Sequence, residues 1–128
     1  MSAMSDYLEN EILDHVLNVG SYTAPSALYI GLSTASFNDD NSGTELSGGS
    51  YSRQAVTFSA ASSGTTSNNA AVEFSPATSA WGVITHYGIF DASTGGNLLI
   101  HGAFTSSRTI AIGDILKIIV GDLDITAA

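Results

Sequence analysis

The periodicity of this chain changes once, near residue 20, and does not change back. Residues 5–18, SDYLENEILDHVLN, carry apolar side chains at helical spacing. From residue 21 onward the apolar residues come in short runs separated by clusters of Gly, Ser, Asn and Asp. The runs are 27–34 (ALYIGLST), 51–60 (YSRQAVTFSA), 70–75 (AAVEFS), 83–90, 98–105 (LLIHGAFT), 115–120 (ILKIIV) and 122–127 (DLDITA). Such a pattern has no place in a helical bundle or in alternating strand–helix units, so its sheets must bury one another. It predicts an all-β fold, a β-sandwich or partly closed barrel with a short N-terminal α-helix. The expected division is a helical arm over residues 1–20 and a β-sandwich domain over 21–128.

The helix has legible ends. Ser5 is placed to cap it, and Asp6 and Glu9 lie in the first turn, where the helix dipole favours negative charge. Leu8, Ile12 and Val16 recur at i, i+4 and i+8, and Leu13 and Leu17 widen the stripe. Asn18 and Gly20 are stop signals. A helix this short does not persist alone in water, so the stripe docks on its own domain or on a neighbour. The expectation is an attachment arm, with these five residues as its contact surface.

The most aromatic segment is WGVITHYGIF, residues 81–90. As a strand it sets Ile84, His86, Gly88 and Phe90 on one side and Val83, Thr85, Tyr87 and Ile89 on the other. Both sides are substantially apolar, which predicts a central strand covered on both faces, or one whose outer face meets another subunit. The second case makes the protein a homo-oligomer, expected to be a trimer, and adds Tyr87 and His101 to the candidate interface. The turn DASTGGN predicts a hairpin whose second strand directs Leu98, Ile100, Gly102 and Phe104 to the core. Gly88 and Gly102 mark a bulge or a close approach, a gap suited to Trp81.

Candidate chemistry is sparse. His86 and His101 lie on the two hairpin strands, but two imidazoles without a carboxylate make an incomplete zinc site. His15 falls on the polar side of the helix. No serine sits in a G-x-S-x-G elbow between strand and helix. The loop NDDNSGTE superficially resembles a calcium loop, yet counting from Asp39 puts Thr44 where glycine is required. Asp122 and Asp124 alternate with Leu123 and Ile125 as on a half-exposed strand. The reading is no catalytic residue, no metal and no cofactor.

Charge narrows the partners. The net charge is −9, and Arg53, Arg108 and Lys117 are the only strong cations. Three scattered cations make no basic stripe, which excludes nucleic acid and anionic membranes as partners. Charged residues form 12% of the chain, about half the usual share. Small hydroxyl residues fill the gap, a surface suited to β-sheet and broad protein contact. With no cysteine there is no disulfide framework or thiol nucleophile. Residues 1–20 lack an apolar signal core, and no apolar run approaches the ~18 residues that span a bilayer. A soluble protein made in a cytoplasm is expected.

Taken in order, SDYLENEILDHVL, YTAPSALYIGLSTA, GGSYSRQAVTF, WGVITHYGIFDASTGGNLL, GAFT and IAIGD resemble small virion proteins of tailed bacteriophages. Relatives of this kind include tail-fibre or receptor-binding proteins and capsid cement (decoration) proteins. The resemblance covers nearly the whole chain. It implies a compact, non-enzymatic β domain, oligomeric and often trimeric, attached to the virion. Within that group the sequence favours a cement protein on the outer capsid surface, bound to the major capsid protein and bridging capsomers. The chain shows no heptad, β-helix repeat or shaft of the kind a fibre uses. Its acidity also suits the outer face of a shell better than the DNA-facing side. The alternative is a tail-fibre or tail-tip adaptor. A carbohydrate-cleaving enzyme comes third, for want of an acid pair.

Overall fold

A computed structural model describes residues 2–127. The chain runs β1 (Ser2–Met4), α1 (Asp6–Val16), β2 (Leu28–Ser33), β3 (Gln54–Val56), β4 (Thr65–Ser67), β5 (Val72–Glu73), β6 (Gly82–Phe90), β7 (Leu98–Ile110), β8 (Lys117–Ile118) and β9 (Asp124–Thr126). Five strands form the main antiparallel sheet in the order β1-β7-β6-β2-β3. Two ribbons, β4–β9 and β5–β8, make up the rest. The fold is all-β with one short helix, and the sheets do not close into a barrel.

The main core lies between the sheet and the ribbons. Ile30, Leu32, Val56, Ile84, Tyr87, Ile89 and Ile110 from the sheet meet Val72, Phe74, Leu116, Ile118, Leu123 and Ile125 from the opposite layer. Alternation in the ribbons explains this: Leu116 and Ile118 are buried while Ile115 and Ile119 point outward. Asn68 is the polar tie of this layer. Its amide donates to the Ala70 and Ile119 carbonyls at 2.9 Å each and its oxygen accepts from Leu123 N–H at 3.0 Å. A buried amide so satisfied fixes the ribbon loops without an unpaired polar group.

WGVITHYGIF is the middle of the main sheet, and residues 87–90 are all buried. Around Gly88 and Phe90 its second face is covered by its own chain, whereas Val83 at the other end of the strand is 46% exposed. Phe37, from the loop after β2, packs edge-on against Phe90 at 5.8 Å between ring centroids, and Leu98 completes a small second core. Along residues 87–90 the apolarity of both faces therefore does not call for another subunit. Val83 is what is left of the argument from which a trimer was expected.

Two irregularities in the hairpin re-aim its side chains. The one between Ile84 and His86 sets Ile84 with Tyr87 and Ile89 in the main core, contrary to the alternation that groups it with Phe90. Ile89 stands opposite Ile100 but Phe90 stands opposite Leu98, so Leu99 is an extra residue. The bulge sends Leu98 to the second face while Ile100 stays with the main core, contrary to the expectation that the two share a face. The close approach expected at Gly88 is real: an added Cβ there would lie 2.9 Å from Leu98 Cδ1 and 3.0 Å from Phe90 Cε1. Trp81 is not the filler. It crosses Phe74 and Tyr51 in the main core, and its indole donates to the Gly49 carbonyl at 2.9 Å.

Candidate interaction surfaces

The N-terminal segment begins as part of the β body. β1 pairs with β7, Ala3 opposite His101, and Ser5 N–H donates to the Leu99 carbonyl at 2.8 Å. Ser5 is buried; its hydroxyl donates to the Leu98 carbonyl and accepts from Leu8 N–H at 3.2 Å, so the predicted cap also moors the helix. Asp6 N–H reaches the Asp39 carbonyl at 3.0 Å. Leu8 is 8% exposed and Ile12 borders a shallow apolar groove with Met4, Ile100 and Ile125.

Beyond that first turn the helix leaves the body. Leu13, Val16, Leu17 and Val19 are exposed, Val16 at 70% and Val19 at 75%. Asn18 adopts φ 62°, and Val19 and Gly20 N–H groups close the helix on the Asp14 carbonyl at 2.8 and 3.1 Å. The single stripe read from spacing thus divides by depth: Leu8 docks at home, Ile12 sits at the margin, and Leu13, Val16 and Leu17 are free.

Tyr87 and His101 have a different setting. Tyr87 is 3% exposed and packs on Phe104 at 5.3 Å, which leaves it no surface for a partner to touch. Burial, and then the charge of Asp124, pushes its phenol pKa up to about 12. His101 is partly buried, with Nε2 2.6 Å from Asp39 Oδ1. His101 stands opposite Gly88 and His86 opposite Ala103, so the two imidazoles share a face only diagonally. His86 Nδ1 pairs with Thr85 Oγ1 at 2.7 Å. Among the described residues no group of three or more His, Cys, Asp or Glu is placed to hold a metal ion. Asp39, read from sequence as part of a calcium-like loop, is instead the tie between that loop, β7 and the start of α1.

A polar clamp beside the second core escaped sequence reading altogether. The Arg53 guanidinium lies 3.6 Å over the Phe90 ring. It donates from Nη2 to Glu45 Oε1 at 2.8 Å and from Nη1 to the Ala92 and Gly95 carbonyls at 2.8 Å each. Tyr51 donates to the same carboxylate and accepts from Leu32 N–H at 2.9 Å. Burial, with the Glu45 hydrogen bond next, raises the Tyr51 pKa above that of an ordinary phenol. These groups line an open cleft of about 290 Å³ between the 45–53 segment and the hairpin turn. Their bonds saturate one another, so the cleft is a joint that locks the loop onto the hairpin. Arg53 and Glu45, eight residues apart in a turn-rich stretch, gave no periodic signal.

A second exposed apolar surface also went unread. Ile112, Ile115, Ile119 and Val120 are exposed on the outer layer, with Lys117 between the isoleucines on the same outward side.

The family model described as podophage GP4 fiber I protein gp80 matches residues 3–126. The chain belongs to this family. Among curated proteins none matches it. The match begins within β1 and spans α1 and every later strand, so the helix and the β body are matched as one unit. Membership places the chain with bacteriophage virion structural proteins, and the family's fibre designation favours the tail-fibre alternative over the capsid-cement reading.

Proposed function

We propose that this protein is a non-enzymatic component of a podophage tail fibre that acts through protein contacts. The family match over residues 3–126 carries this reading. The geometry supports it in one way. Exposed apolar residues gather on α1 and on the 112–120 segment, as on proteins that bind other proteins. Repetition along a fibre multiplies a modest patch into firm attachment.

The cement reading remains second, with the major capsid protein as partner, because the β body is one compact unit of acidic charge. Gold-labelled antibody against the protein, imaged on intact virions, separates the two. Label on the fibres supports the proposal. Label spread over the capsid faces moves the protein to the shell, and unlabelled virions remove it from the particle.

A further inference from the structure

The two exposed apolar surfaces are chemically unlike, and the difference says what covers them. Around Leu13, Val16, Leu17 and Val19 the helix bears Asp6, Glu9, Glu11 and Asp14. Asp39, Asp40 and Asp91 lie on the segments next to its moored end. The negative end of the helix dipole adds to this field. No arginine or lysine is in α1.

The other surface holds two of the three cations. Ile115, Lys117 and Ile119 alternate outward along the segment that contains β8, flanked by Ile112 and Val120 on the adjoining turns. Lys117 makes no ion pair among the described residues, although Glu73 stands opposite it on β5. Arg108 reaches across from β7 to the Lys117 carbonyl and, at 3.0 Å, to Asp122. Glu73, Asp114 and Asp122 are the nearby acids, set against Lys117 and Arg108, so this strip is still less negative than the helix. The surfaces are also far apart. α1 docks on β1 and the 98–101 end of β7, whereas the strip flanks the 108–110 end of that 13-residue strand.

A symmetric pairing of either surface sets like charge on like: the helix carboxylates on themselves, or Lys117 on Lys117. Pairing the helix of one copy with the strip of the next sets leucines on isoleucines and carboxylates around Lys117. We propose that the occupant of each surface is a second copy of this chain, joined head to tail. Each copy then keeps one helix and one strip free, so the contact repeats into an open array or a ring rather than closing as a dimer. This goes beyond virion membership and is independent of where on the particle the protein sits.

Sedimentation of the purified protein, at concentrations up to about 1 mM to capture a weak contact, tests it directly. Wild type is expected to form species larger than dimers. Leu13→Ser/Leu17→Ser and Ile112→Ser/Ile119→Ser should each be monomeric, with melts like wild type. An equimolar mixture of the two should give a 1:1 dimer and nothing larger, since each variant retains one complementary surface. If either pair lowers the melting temperature, Val16→Ser and Val120→Ser, both at exposed sites, replace them. A monomeric wild type, assembly that survives loss of either surface, or variants that fail to pair when mixed would each overturn the proposal.

Discussion

Residues 87–90 of β6 are buried on both faces, but by different means. On the inner face, Ile84, Tyr87 and Ile89 meet the ribbons in an extended apolar core. On the outer face, three residues, Phe37, Phe90 and Leu98, make a small core roofed by Arg53, Glu45 and Tyr51. The inner side is held by area removed from water, the outer by a few directional bonds over an aromatic ring. An apolar strand face therefore says that something covers it, and not whether the cover is the same chain.

That difference is open to attack by mutation. The largest loss is expected from the inner core: Phe74→Ala, at a side chain 1% exposed, should cost about 3–5 kcal/mol in urea unfolding. A cost near zero there would mean that the ribbons do not pack as described. On the outer face, Arg53→Ala leaves Glu45 without its cation and uncovers Phe90; about 3 kcal/mol is expected, from the low end for a partly buried pair. A neutral result would reduce the clamp to decoration.

Tyr51→Phe deprives Leu32 N–H and Glu45 of a partner and should cost about 2 kcal/mol. It should also alter the alkaline limb. The folded state holds the Tyr51 proton above an unfolded value of about 10, so its contribution is intact below that pH and declines as pH rises past it. Tyr87 titrates in the same direction, with its folded value pushed up to about 12. Unfolding monitored between pH 9 and 12 should therefore be shallower in the phenylalanine variant. The smallest effect belongs to the exposed half of α1: Leu13→Ser/Leu17→Ser should change stability by less than about 0.5 kcal/mol.

Elements with strong local chemistry were legible in the sequence. Ser5 capped the helix where expected, and the long alternating runs at 27–34, 83–90 and 98–105 became β2, β6 and the first part of β7. β1 was not, because three residues before a helix, Ser2, Ala3 and Met4, are too few to carry a period; they are a strand only because β7 offers an edge. β4 was read as turn, since its Thr-Thr-Ser run is polar and pairs with a strand some sixty residues away. The interaction surfaces were half legible. Helical spacing marked all five stripe residues but not which are covered at home, a matter of where β1 anchors the first turn. Ile115 and Ile119 belong to an apolar run of five residues in six, and only the burial of Leu116 and Ile118 beside them shows which side faces out.

The claim that the 87–90 end of the central strand is closed on both faces by its own chain has a direct test. Thermal melts of Leu13→Ser/Leu17→Ser, which lacks the proposed assembly surface, can be compared over an approximately hundredfold dilution. A body complete in one copy melts at the same temperature throughout, because nothing that stabilises it dissociates. A melting temperature that falls steadily on dilution would show that another subunit covers part of the sheet, and would contradict the account.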